Sequence, residues 1–440
     1  MKNIKNRLED VIPGGAHTYS RGLEIYPNNI PAAFIRAKGA YTFCSENNQY
    51  LDYSMALRSV VLGYANGEVD DAVISAIRNS STFSRPSMIE LAAAELFISD
   101  IPGADMVKFA KNGSNVTTAA IKLARAATGK KIVLYPSEQP FFSFDDWFIA
   151  GTPMNHGTVN DGLAKKFSYG NIQSVQDLIK QFENEIACVI LEPSTNINPC
   201  SCEESGWLPK IECCGKDNFL KQLRVLCDKH GIILIFDEMI TGGRWNINGA
   251  QRYFNIIPDL STFGKAIANG YSIAALCGKR EIMELGGTRL LGMPRSFLLS
   301  STHGAEVTSL AALIKTREIF VRENVSSHIW DFNSELTTGL NKLIGDYNLS
   351  NSIKISGNAY LPIIEYLGYA NLNSNNFKYW VQEKLISKKI IMPWISTSLS
   401  HGELELKVTL ETFKEIFDEL VDCDELYIDG ELKQIFRYNN

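Results

Sequence analysis

With 440 residues, 45% apolar and 21% charged, the chain is long enough for two globular domains and has an ordinary folded composition. Its net charge of −6 argues against a nucleic-acid surface or a polybasic membrane anchor. No apolar run reaches a membrane span, none follows the charged start Met1-Lys2-Asn3-Ile4-Lys5, and the nine scattered cysteines read as reduced thiols, so a cytoplasmic location is expected.

Pro13-Gly14-Gly15-Ala16-His17-Thr18-Tyr19-Ser20-Arg21 is a loop with a basic end, suited equally to lining a pocket or to simple connection. Residues 40–53 alternate as a hairpin turned by Glu46-Asn47-Asn48. Helices are expected over Val69–Ile77 and, alanine-rich, over Pro86–Ile98. Met106–Ala110 reads as a strand, Lys111-Asn112-Gly113-Ser114-Asn115 as a polar turn, and about Val116–Ala127 as a helix. Free N–H groups, a hydroxyl and the positive dipole end make such a turn a phosphate site, although capping alone accounts for many of them.

A strand over Lys131–Tyr135 leads to the aromatic loop Pro140–Phe148, where one ring can stack on a flat cofactor while most fill the core. Ala187–Leu191 is a buried strand ending in Glu192. Cys200, Cys202, Cys213 and Cys214 invite zinc, but their spacing is not that of a zinc knuckle and incidental thiols are the preferred reading, so no metal site is assigned. An amphipathic helix, Phe219–His230, feeds the apolar run Gly231–Phe236, which stops at Asp237-Glu238. Ser261-Thr262-Phe263-Gly264-Lys265 follows, then a strand over Ala274–Gly278 and a hydroxyl-rich turn, Phe297–Gly304, before a long helix from near Glu306. From about Ile319 the glycine-rich turns cease. A strand at Leu361–Glu365 and a last helix, capped by Ser400 and Glu403 with Leu406, Leu410, Phe413, Phe417 and Leu420 on one face, mark a smaller domain.

A run apolar on both faces is a strand inside a parallel sheet, and ligands sit beyond the carboxyl ends of such strands, where Asp237 lies. Lys265 stands among Gly264, Ala266, Ile267 and Ala268, where desolvation lowers an amine's pKa and makes it a nucleophile. The pair matches the needs of pyridoxal phosphate: a lysine for the Schiff base and a carboxylate to keep the pyridine nitrogen protonated. Either residue alone fits a plainer reading, with Asp237 capping a turn and Lys265 reaching solvent. Their combination favours the cofactor.

These residues resemble the class III (subgroup II) pyridoxal-phosphate-dependent aminotransferases of fold type I, on the glutamate-1-semialdehyde aminomutase branch, from about Leu8 to Leu420. Asp237-Glu238-x-x-Thr241-Gly242 and Ser261–Gly270 carry the likeness. It implies an α/β fold with a mostly parallel central sheet, helices on both faces, and a smaller α+β domain from both termini. The expected division is an N-terminal segment, 1–55, joining the small domain; a large cofactor domain, 56–318; and a small domain, 319–440. Within that likeness Lys265 holds the cofactor and moves a proton, and Asp237 pairs with the ring nitrogen. Asn112, Gly113 and Ser114 take the phosphate, Phe141 covers the ring, and Glu192 completes the set at another strand end. Ser301 and Thr302 reach the phosphate of a neighbouring subunit, which implies a homodimer with active sites at its interface. Arg21 falls where a substrate carboxylate is bound, and Trp394 in the C-terminal substrate loop.

The departures concern the substrate shell. Phe141-Phe142-Ser143 stands where a tyrosine, histidine and glycine are common; Thr241-Gly242-Gly243-Arg244 replaces Thr-Gly-Phe-Arg; Met392–Ser398 lacks the aminomutase's acid; and the Cys200–Cys214 insertion is unusual. The pattern resembles aminomutase-like aminotransferases of bacterial surface-sugar or secondary-metabolite pathways. The expectation is an aminotransferase acting between an amino donor and a carbonyl substrate, with neither nucleic acid nor membrane as partner. The aminomutase reaction is the alternative, favoured by Arg21 and disfavoured by the missing acid. A non-catalytic protein of this fold would have lost Lys265 or Asp237, and a dinucleotide enzyme lacks its G-x-G-x-x-G. A keto-sugar, an amino aldehyde and an ω-amine all remain open as substrates.

Overall fold

A computed structural model describes residues 3–194, 197–199, 218–289, 292, 295–423, 426–430 and 432. The cysteines at 200, 202, 213 and 214 therefore lie outside the described residues. In chain order the strands are β1 (Phe34–Lys38), β2 (Tyr41–Cys44), β3 (Gln49–Asp52), β4 (Met106–Ala110), β5 (Ile132–Pro136), β6 (Ala164–Phe167) and β7 (Ile186–Leu191). They continue as β8 (Ile233–Asp237), β9 (Leu260–Phe263), β10 (Ala274–Gly278), β11 (Ile353–Asn358), β12 (Leu361–Tyr366) and β13 (Ile390–Ile391). The chain divides into two compact units, residues 1–66 with 327–440, and residues 67–326.

In the first unit β1, β2 and β3 form an antiparallel meander, and β13 joins β3 in parallel. The hairpin turn at Asn47 takes a positive φ of 63°, which asparagine tolerates. Residues 56–66 stay with this unit because they bond back to it: Tyr64 hydroxyl donates to Asp52, and Leu399 N–H donates to Val61 O at 2.8 Å. Phe413, Phe417 and Leu420 of the last helix, Glu403–Val421, pack into a core with Leu336, Phe377 and Trp380. Its start corrects the expected Ser400–Glu403 cap. Gly402 is the N-cap, its N–H donating to Glu405 Oε2 at 2.9 Å, while Ser400 Oγ instead donates to Leu62 O at 3.0 Å. Between β3 and Val60, Met55, Ala56, Leu57 and Arg58 all have positive φ. A left-handed turn of non-glycine residues costs about 1–2 kcal/mol per residue.

The second unit holds seven strands in the order β4-β10-β9-β8-β7-β5-β6. Neighbours from β9 to β6 pair in parallel, and β10 runs antiparallel to both β9 and β4. Every residue of β7 and of β10 is buried, as helix-covered strands require. The helix Gly113–Thr128 lays Val116, Ala120 and Leu123 against Ile190, Ile235 and Leu276. It starts three residues before the expected Val116, because Asn112 Oδ1 accepts the Asn115 N–H at 3.0 Å and converts the polar turn into the first helical turn. Helix Val307–Arg322 packs against helices Gly67–Ile77 and Met88–Ser99 and against the Lys265–Ala268 turn. Among the described residues no helix is long and apolar enough to cross a membrane.

Candidate active site

Asp237 ends β8, and its register partner on β9 is Thr262. Thr262 Oγ1 and the Met239 N–H both donate to Asp237 Oδ1 at 3.1 Å, and Glu238 N–H donates to Thr262 O at 2.8 Å. Oδ2 accepts no hydrogen bond from the described residues. Asp237 is only 2% exposed. Burial pushes its pKa up to about 6, and the field of Lys265 is the first influence drawing it back down. Lys265 leaves β9 just past Phe263 and Gly264, half-buried and with φ of +48°, so the two side chains stand at the ends of adjacent parallel strands.

Met239 joins this corner to the phosphate turn. A Cβ on Gly113 would stand 3.0 Å from the Met239 sulfur, and one on Gly264 only 2.6 Å. A side chain at either position would therefore force the Met239 thioether to shift. Gly113 and Ser114 open a 16-residue helix, so their N–H groups have no intrahelical acceptor. Ser114 Oγ accepts the Phe144 N–H at 3.1 Å, and Thr117 Oγ1 donates to Phe142 O at 2.9 Å, which pins the aromatic loop to the same helix. In that loop Phe142 is buried with Tyr135 and Phe148, whereas Phe141 is 41% exposed and meets Phe148 edge-on. Glu192 is buried, and the Gln139 amide clamps its backbone, accepting from N and donating to O at 2.8 Å each.

Lys111, beside Asn112, donates to Glu306 Oε2 and Ser309 Oγ at 2.7 Å each. Ser301 and Thr302 lie in an exposed turn whose Gly304 presses on Phe109 O of β4, where a Cβ would come within 3.1 Å. Asn112, Gly113, Ser114, Phe141, Asp237 and Lys265 thus belong to one connected neighbourhood, with Glu192 tied to its aromatic loop. Arg21 and Trp394 belong to the other unit. There Arg21 is exposed and acts on the Tyr26 and Tyr64 hydroxyls, easing the upward pKa shift that burial imposes on both. Among the described residues no cluster of histidine, cysteine or acid is arranged to hold a metal.

Sequence reasoning missed Thr262, Met239, Gln139 and the Lys111–Glu306 pair. Only Thr262 left a signal, a hydroxyl three residues before the lysine on a strand that must neighbour the acid. Burial would raise the Glu306 pKa, but Lys111 and Thr308 outweigh it and hold the group near 2. A depressed carboxylate stabilises above its unfolded pKa and loses that stabilisation as pH falls through the folded value. Lys111→Met is therefore expected to lower Tm most above pH ~5, the gap to wild type closing toward pH ~2. A gap constant across thermal melts in that range would refute the pairing.

Glu238, fully buried, takes hydrogen bonds from Thr241 Oγ1 and the N–H groups of Ala250 and Gln251; burial first, with Asp237 adding to it, raises its pKa to about 7. Gly249 has φ of +86°, and a Cβ there would meet the Glu238 carboxylate at 2.6 Å. Gly249→Ala is expected to cost about 2–4 kcal/mol in urea unfolding, from overpacking and left-handed strain together. An unchanged midpoint would contradict this packing.

A lysine amine, a buried carboxylate with one oxygen unmatched, and a helix N-terminus opened by Gly113 with free N–H groups fit pyridoxal phosphate. The description "Aminotransferase class-III" matches over residues 25–167 and 151–365, which together span most of the chain. The chain belongs to the class III aminotransferases. It is 33% identical to a glutamate-1-semialdehyde 2,1-aminomutase of Cytophaga hutchinsonii over 63% of this chain and 64% of that protein. To a 3-aminobutyryl-CoA aminotransferase of Cloacimonas acidaminovorans it is 27% identical over 95% and 96% of the two chains. The solved structure of a Sphingopyxis FumI protein, in a pyridoxal-phosphate form, superposes with a TM-score of 0.81 at 26% identity, covering 95% and 96%. The class III assignment carries with it the fold type I architecture and the pyridoxal phosphate cofactor.

Proposed function

We propose that the protein transfers an amino group between an amino donor and a carbonyl substrate, with Lys265 and Asp237 as its catalytic residues. The observation that carries this is their placement on adjacent parallel strand ends, close enough for Lys265 to draw down the Asp237 pKa. When bound, pyridoxal phosphate supplies an aldehyde that exchanges amines and a ring that spreads negative charge. Lys265 Nζ would hold the cofactor through that aldehyde and, once released by an incoming amine, would serve as the base that takes a proton from the amine-bearing carbon and as the acid that returns one. Asp237, held by Thr262 and Met239, offers Oδ2 to the ring nitrogen. The N–H groups of Gly113 and Ser114, with Asn112 fixing the cap, receive the phosphate. Phe141 covers one ring face, and Glu192 closes the neighbouring strand end. In this reading the protein is a cytoplasmic homodimer in which Ser301 and Thr302 serve the neighbouring subunit's phosphate, while Arg21 and Trp394 act on substrate.

Screening amino donors against the yellow holoenzyme tests the reading. A donor that bleaches the visible band and a 2-oxo acid or aldehyde that restores it are expected. No bleaching by any donor would count against transamination. The 33% identity to an aminomutase favours a second reading, internal isomerisation of a semialdehyde. Turnover of glutamate-1-semialdehyde without any added carbonyl acceptor would decide for it.

A further inference from the structure

Thr262 is the third residue of β9 and 0% exposed. Leu276 of β10 pairs with it on one side and Asp237 of β8 on the other. A buried strand position of this kind suits valine, because a hydroxyl in the same shape adds a desolvation cost that only a hydrogen bond offsets. Among the described residues the Thr262 hydroxyl makes one such bond, donating to Asp237 Oδ1 at 3.1 Å. The Thr262 carbonyl accepts the Glu238 N–H at 2.8 Å. One residue therefore holds the end of β8 by main chain and side chain at once, and Lys265 follows three positions later.

Both donors to Asp237, the Thr262 hydroxyl and the Met239 N–H, go to Oδ1, which leaves Oδ2 for an incoming cation. The Met239 donor belongs to the backbone and survives any side-chain change. Thr262 supplies the only side-chain hydrogen bond to this carboxylate among the described residues. A donor to the ionised form also offsets part of the cost of burial. Burial raises the Asp237 pKa to about 6, while Lys265, the Met239 N–H and the Thr262 hydroxyl draw it down. Lys265 and Glu238 are the charged or titratable groups whose fields act between themselves and Asp237, and Glu238 is itself raised to about 7.

We propose that Thr262 is a positioning residue for amino transfer, fixing which oxygen of Asp237 is presented and keeping that carboxylate ionised. Its part in turnover rests on the aminotransferase reading; its hold on Asp237 does not. The first arm of the test is thermal melts of the apo protein, comparing Thr262→Val with wild type, each with and without Asp237→Asn. A buried carboxyl with a raised pKa loses stability as pH rises from its unfolded value through its folded one. Without the hydroxyl the folded value climbs further, so the gap between Thr262→Val and wild type should be flat below pH ~5 and widen between pH ~6 and ~8. With Asp237→Asn in both chains the gap should stay constant, because position 237 no longer ionises. Thr262→Ser should follow the wild-type profile. A hydroxyl with a packing role alone would shift every melt equally. In the second arm, holoenzyme kcat should fall about 10-fold in Thr262→Val with KM nearly unchanged, and recover to within about threefold in Thr262→Ser. A gap independent of pH, the same pH dependence with Asp237→Asn present, or an unchanged kcat overturns the proposal. Failure of the aminotransferase reading would show differently, as melts that behave as stated while no amino donor bleaches the visible band.

Discussion

Replacing Lys265 by alanine is expected to abolish the visible band of the reconstituted protein and to lower turnover by about 10⁴-fold or more. The amine serves twice, once to hold the cofactor and once to carry the proton, so its loss removes binding chemistry and acid–base chemistry together. The fold should tolerate the change. Lys265 follows the fully buried β9 but is itself only half-buried, and alanine meets the same left-handed φ of +48° at little added cost. Urea unfolding of the apo variant should therefore stay within about 1 kcal/mol of wild type. A retained visible band with normal turnover would end the assignment of Lys265.

Asp237→Ala is expected to separate binding from chemistry. The phosphate turn and Lys265 remain, so the variant should take up cofactor, while turnover falls by about 10³-fold or more because the ring nitrogen loses its buried counter-charge. Turnover within tenfold of wild type would refute the role. The pH dependence of the apo protein gives an independent check. Burial raises the Asp237 pKa to about 6, so ionising it costs stability. That cost is absent below the unfolded value of ~4 and grows as pH rises through 6. In thermal melts Asp237→Asn should gain on wild type between pH ~4 and ~7, and a gap that shrinks over that range would contradict the burial argument.

What could be read from the chain alone follows the reach of each interaction. The apolar run ending at Asp237 declared a parallel strand because both of its faces are covered, and its end marked the chemistry. The helix over Gly113–Thr128 was legible in its packed alanines but not in its start, which a single Asn112–Asn115 bond moves forward. The cap of the last helix went astray for a similar reason: Ser400 is spent on Leu62, more than three hundred residues away in sequence. Distant partners of that kind leave no local trace. The left-handed turn at Met55–Arg58 was invisible because none of its residues is a glycine, and its causes, Asp52 and Tyr64, act across the turn rather than within it.

Met239 has a consequence for anyone wishing to redesign this enzyme. Its sulfur fills the gap between the backbones of Gly113 and Gly264, so positions 113, 239 and 264 form one steric allotment shared among three side chains. An alanine in either loop requires the Met239 thioether to move, and a shorter residue at 239 would relieve that demand. Variants that drift at one of the three are therefore expected to be tolerated better when another of the three shrinks with it.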